Sequence, residues 1–258
     1  MKTHYIKVYA GIGNQLFQYA HGLYLMQQGI RVRFILNRNF AQKTFFDLPE
    51  VFNIPRTLFI IPRSKLTLLI VKFYARFINR NWDTGYHQEY RFPQAADKNA
   101  FIFAHEQALS QVSYTQQIKS CESVSIHIRG GDYLRTQEYA EYGNICTKEY
   151  YEKAINALKA VYTNPVFYVF TNDALYAQNM LSGLNEQFVY VTGTTVETDL
   201  YLQSICNSNI IANSTFSWWA AYLNRNKDKI VIAPSKWHNE RPEVINQLVP
   251  AESGWRKI

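Results

Sequence analysis

Residues 166–170 read VFYVF, an unbroken apolar run. A strand with one wet face alternates, whereas a strand covered on both faces does not. The surrounding sequence keeps one rhythm. The patterning predicts strands at 124–129, 188–191, 210–212 and 229–233, and helices at 148–161, 174–181, 198–206 and 216–224. Thr147 is placed to cap the first of these helices with its hydroxyl. Strands spaced by helices require parallel crossover units, because a hairpin cannot join parallel neighbours. The first third begins alike, with a strand at 4–8, a helix at 15–28 and a strand at 32–36. The expectation is therefore an α/β chain of two lobes with parallel sheets, 1–115 and 116–258. No internal repeat or low-complexity tract interrupts it.

Composition narrows the partners. Of 258 residues 47% are hydrophobic, enough for real cores and too many for a disordered chain. The net charge of +7 favours anionic ligands or surfaces. The three cysteines, Cys121, Cys146 and Cys206, match neither a zinc spacing nor a disulfide framework, and reduced thiols are expected. The first residues lack the apolar core of a secretion signal. No run of about 18 apolar residues offers a membrane span.

In open α/β sheets, ligands bind beyond the carboxyl ends of the strands. Those positions here read AGIGNQ, RGGDY, TND and NSTF. Gly11 and Gly13 let the backbone approach a ligand, and Asn14 and Gln15 open a helix whose free amides favour an anion. A plain turn needing positive φ would use the same glycines. Arg129 ends a buried strand and can grip a phosphate with two parallel hydrogen bonds. Gly130 and Gly131 allow the loop to fold around a diphosphate, and Asp132 can orient Arg129 or accept a proton. His127, two residues back on the same face, reads as a supporting residue more readily than as a catalyst. Asn213, Ser214, Thr215 and Phe216 can hold a phosphate or simply cap a helix. Trp218 and Trp219 read as core.

Residues 64–82 interleave Leu, Ile, Val and Phe with Lys65, Lys72, Arg76 and Arg80. Such a segment either lies in a membrane interface or is a core helix with a basic face. No metal-binding spacing, P-loop or nucleophile elbow is present.

Taken in order, GIGNQLFQYA at 11–20, GYHQEYRF at 85–92, SIHIRGGDY at 125–133, YVFTND at 168–173, the run at 199–224 and VIAPSKW at 231–237 resemble bacterial α-1,2-fucosyltransferases of glycosyltransferase family 11. The resemblance implies a GT-B-like fold of two Rossmann-like lobes. The N-terminal lobe would serve the acceptor and the C-terminal lobe a GDP-sugar donor. It implies transfer of L-fucose from GDP-L-fucose to a galactoside hydroxyl with inversion, without a required metal or cofactor. It assigns donor contacts to Gly11, Gly13, Asn14, Gln15, His127, Arg129, Thr171, Asn172, Asp173, Asn213, Ser214, Thr215 and Phe216. Asp132 is the first candidate base and Glu138 the second.

One departure stands out. The family usually carries two adjacent arginines where this chain has Arg129 and Gly130, and Ala10 replaces a common glycine. A related donor such as GDP-colitose, or a non-catalytic glycan- or nucleotide-binding role, follows as an alternative. The implied setting is O-antigen or capsule assembly at the cytoplasmic face of a bacterial inner membrane. There the acceptor would be an oligosaccharide, lipid-linked in one version, with 64–82 on the membrane. No nucleic-acid partner is expected.

Overall fold

The structure is a computed structural model describing residues 2–37, 48–131 and 136–258, and of 136–138 the backbone alone. The chain forms two compact units, Met1–Glu106 and Gln107–Ile258.

The first unit is built on a wholly parallel sheet of β1 (His4–Val8), β2 (Val32–Leu36), β3 (Phe59–Ile60) and β4 (Trp82–Asp83). The strand order is β3-β2-β1-β4. Helix α1 (Ile12–Gln27) lies close against it. A Cβ at Gly22 would stand 2.2 Å from the Phe34 ring, so this crossing tolerates only glycine. The shorter helices α2 (Leu48–Val51), α3 (Lys65–Phe73) and α4 (Arg91–Ala95) follow. Ser64 and Thr67 begin α3 with a reciprocal capping box, which satisfies two amides the first turn leaves without partners.

α5 (Glu106–Leu109) begins at the division, and α6 (Ser113–Lys119) follows in the second unit. Its sheet holds β5 (Ser123–Ile128), β6 (Val166–Thr171), β7 (Gln187–Tyr190), β8 (Ser208–Ile210), β9 (Val231–Ala233) and β10 (Arg256–Lys257). All are parallel, in the order β10-β9-β8-β5-β6-β7. The connecting helices are α7 (Thr136–Tyr142), α8 (Lys148–Lys159), α9 (Ala174–Leu181), α10 (Val196–Ser204), α11 (Thr215–Leu223) and α12 (Val244–Leu248). Every residue of β5 is buried. Val124, Ile126 and Ile128 meet Phe167 and Val169 of β6 and Tyr151, Ile155 and Leu158 of α8 in one apolar core. Trp218 and Trp219 are fully buried, and Trp218 Nε1 donates to the Leu248 carbonyl at 2.9 Å.

The expected alternation is present. β1, β2 and α9 have the expected bounds, and Thr147 caps α8 by accepting from the Tyr150 amide. α1 starts at Ile12 rather than residue 15, which places Gly13 inside its first turn.

Strand order locates the sites. In the second unit the chain runs from β5 outward to β7, then returns to the other side of β5 at β8. In the first it runs from β1 to β3, then returns beside β1 at β4. Such reversals open a crevice at the strands' carboxyl ends, where neighbouring loops diverge.

Candidate functional site

In the second unit the reversal is flanked by Arg129, just past β5, and by the turn at 213–216, after β8. The loop that follows Arg129 is held by its neighbour. The Gly130 amide donates to Asn172 Oδ1 at 2.9 Å, and Asn172 Nδ2 donates back to the Gly130 carbonyl at 3.3 Å. A Cβ on Gly130 would stand 2.8 Å from the Asp173 Cβ and 3.0 Å from the Tyr176 ring. There is no room for a second arginine at this place. Gly131 has φ 64, which glycine adopts at least cost.

Thr171 and Asp173 serve the turn itself. The Asp173 amide donates to Thr171 Oγ1, and Asp173 Oδ1 caps α9 by accepting from the Tyr176 amide. Ser214 caps α11 by accepting from the Phe216 amide, and Thr215 is the first residue of that helix. Asn213 is buried, and its amide donates to the carbonyls of Tyr142 and Trp237. This ties the end of α7, the helix of Glu138, to the reversal. Asp132 lies outside the described residues, as does the Glu138 side chain.

His127 and Phe216 are brought together, with ring centroids 5.5 Å apart. His127 is 4% exposed, and its Nδ1 has no hydrogen-bond partner among the described residues. Burial, and then the charge of Arg129, hold its pKa down to about 3. The imidazole is therefore neutral at physiological pH.

Gly11, Gly13, Asn14 and Gln15 belong to the first unit. There the left-handed residue is Ala10, with φ 66, while Gly11 is extended at φ −65. The glycines are not what the turn's handedness requires. Space beside Gly11 is open, since a Cβ there meets nothing within 4 Å. Gln15 Nε2 donates to the Ala10 carbonyl, and Asn14 Oδ1 accepts from Gln88 Nε2 at 2.8 Å. Gln18 bridges the same two loops, accepting from the Tyr9 amide and donating to the Gly85 carbonyl. Gln18 and Gln88 lay within recognised motifs but had no assigned task. Also unforeseen is a cluster of His4, His21 and His87 around Asp83 at the end of β4.

Two parallel α/β units, each with a reversing sheet, define a GT-B-like glycosyltransferase fold. NodZ, a fucosyltransferase from Bradyrhizobium, superposes with a TM-score of 0.52 at 15% identity, over 85% of this chain and 92% of its own. An ADP-heptose heptosyltransferase II of Escherichia coli superposes with a TM-score of 0.51 at 13% identity, over 100% and 90%. The sequence profile of Glycosyl transferase family 11 matches residues 75–253, and the chain belongs to that family. An α-1,2-colitosyltransferase of Escherichia coli is 27% identical over 96% of both chains. The O-antigen biosynthesis glycosyltransferase WbnK of Escherichia coli is 38% identical over 46% of this chain and 40% of its own. Among the described residues no helix is long and apolar enough to cross a membrane.

Proposed function

We propose that this glycosyltransferase moves a 6-deoxyhexose, L-fucose in the first reading, from its GDP conjugate to the 2-hydroxyl of a galactoside during surface-polysaccharide assembly. The observation that carries the reading is the placement of Arg129 and the start of α11 on the two sides of one sheet reversal. As the bond between sugar and diphosphate breaks, negative charge grows on the β-phosphate. Arg129 and the free amides at the start of α11 meet that charge more strongly in the transition state than in the ground state. The acceptor oxygen attacks the anomeric carbon from the opposite face, GDP departs, and a carboxylate takes the acceptor proton. Asp132 and then Glu138 are our candidates for that base. Asn172 and Gly130 hold the Arg129 loop in place. The diphosphate needs no divalent ion in this reading. In the first unit, Asn14 and Gln15 occupy the matching reversal and are assigned to ligand contact.

A GDP-colitose donor is the second reading. It is favoured by Gly130, which stands where the family usually carries its second arginine, and by the full-length similarity to a colitosyltransferase. The deciding experiment measures kcat/KM with GDP-L-fucose and GDP-colitose on lactose-type acceptors, with and without added magnesium or manganese. Transfer of either sugar, unchanged by those ions and lost in Arg129→Lys, supports the mechanism. A lysine cannot replace the planar fork. No transfer from either donor overturns it.

A further inference from the structure

Three histidines in the first unit share one carboxylate with no assigned role. Asp83 ends β4, with Ile6 of β1 as its neighbour in the sheet. Its Oδ2 lies 3.3 Å from His4 Nε2 and 3.4 Å from His21 Nε2. Its Oδ1 lies 2.8 Å from His87 Nε2 and accepts from the Gly85 amide at 2.9 Å. One ligand atom from each of His4, His21 and Asp83 falls within 4.8 Å of the others.

The two oxygens have different surroundings. The Oδ1 contacts have ordinary hydrogen-bond lengths. The Oδ2 contacts are longer and match the edge of a tetrahedron around zinc. With bonds of about 2.0–2.1 Å, tetrahedral ligand atoms stand roughly 3.3–3.5 Å apart. The His21 and His87 rings stack at 3.7 Å and only 7° from parallel, so each limits how the other can turn.

We propose that His4 Nε2, His21 Nε2 and Asp83 Oδ2 form a zinc site, with a fourth position left to water. His87 is a positioning residue that fixes the other carboxylate oxygen, the usual arrangement behind a metal ligand. Two imidazoles and a carboxylate suit zinc, whereas magnesium prefers an oxygen shell. The fold builds the site. His4 shares a strand face with Ile6 and Val8. His21 lies on α1, and the loop after Asp83 folds back to bring in His87. Gly85 leaves His87 its place, since a Cβ there would stand 2.7 Å from His87 Nε2 and push the ring aside. The ion would join β1, α1 and β4 at their reversal and steady the loop carrying Gln88, which holds Asn14.

The test uses the whole protein, stripped with chelator, returned to metal-free buffer, given equimolar zinc and desalted. Elemental analysis should find one zinc per chain, with a rise in melting temperature that magnesium does not produce. Cobalt in its place should give the intense visible bands of a four-coordinate site. Asp83→Asn and His4→Gln should lose both signals, and His87→Phe should bind about 10–100-fold more weakly. His4 is partly exposed, so His4→Gln carries the test if Asp83→Asn fails to fold. Folded wild-type protein that retains no zinc overturns the proposal. So does full zinc stoichiometry in a folded ligand variant.

Discussion

Asn172 grips Gly130 by both ends of its carboxamide, accepting from its amide and donating to its carbonyl. Gly130 and the turn after β6 are thereby joined, right beside Arg129. Asn172→Ala removes both bonds and leaves partly buried backbone groups unmatched, at a cost of about 1–3 kcal/mol. Transfer should suffer beyond the stability loss, because the cation's placement is also lost. Thermal unfolding beside kcat/KM at a temperature where the variant is fully folded measures the two separately. An active, equally stable variant would remove the loop from the mechanism.

Gly130→Arg would reinstate the arginine pair usual in the family. Here it should harm the protein. The new side chain meets Asp173 and Tyr176 at its first carbon, and overpacking of this kind costs about 1–3 kcal/mol. Chemical denaturation checks the stability. A stabilised, faster enzyme would show that these neighbours yield easily.

Ala10 holds a left-handed backbone that a Cβ disfavours by about 1–2 kcal/mol. Ala10→Gly relieves this while adding freedom to the unfolded chain, so the net gain should be small, up to about 1 kcal/mol. A calorimetric melt should show a modest rise. A clear fall would mean that the Ala10 methyl contributes packing.

His127 gives stability a pH dependence. Its folded pKa of about 3 lies below the ordinary 6.5. Between those values the unfolded chain binds a proton that the folded chain refuses. Stability therefore falls as pH drops through this window, by about 1.4 kcal/mol per unit and about 2 kcal/mol from pH 7 to 5. Denaturation midpoints across that range should slope less in His127→Asn than in the parent. Parallel slopes would assign the dependence to other groups.

α3 buries only Leu68. Leu66, Leu69, Ile70, Phe73, Phe77 and Ile78 are each more than half exposed, beside Lys65, Lys72 and Arg76. We expect this face to bind anionic lipid. Leu69→Glu with Phe73→Glu should abolish co-flotation with phosphatidylglycerol vesicles and leave the melting temperature within about 1 °C, since neither side chain is in the core. Binding retained by the double variant would place the contact elsewhere.

Much of this architecture is legible in the sequence, for identifiable reasons. VFYVF announces a doubly covered strand because neither face has to be polar. α8 announces itself through the cap at Thr147, whereas the capping of α9 by Asp173 is visible only in the structure. β3, β4 and β10 do not, since two residues carry no period. The departure at Gly130 is visible in one dimension, but its cause, the side of Asp173, is visible only in three. His4, His21, Asp83 and His87 form no local motif; β-sheet pairing and a returning loop gather them. An amphipathic pattern such as that of α3 shows that a helix has an apolar face without saying what covers it.

The loops at both reversals are stapled by neutral amides: Asn172 on Gly130, Asn213 on Tyr142 and Trp237, Gln88 on Asn14, Gln18 on Gly85. Carboxamides do not titrate, and counterions do not screen them as they screen exposed ion pairs. Raising ionic strength should leave these loops as they are while weakening attraction to a diphosphate or an anionic bilayer. These amide staples thus shape the loops by groups other than those that draw the ligands, and a salt titration acts chiefly on the attraction.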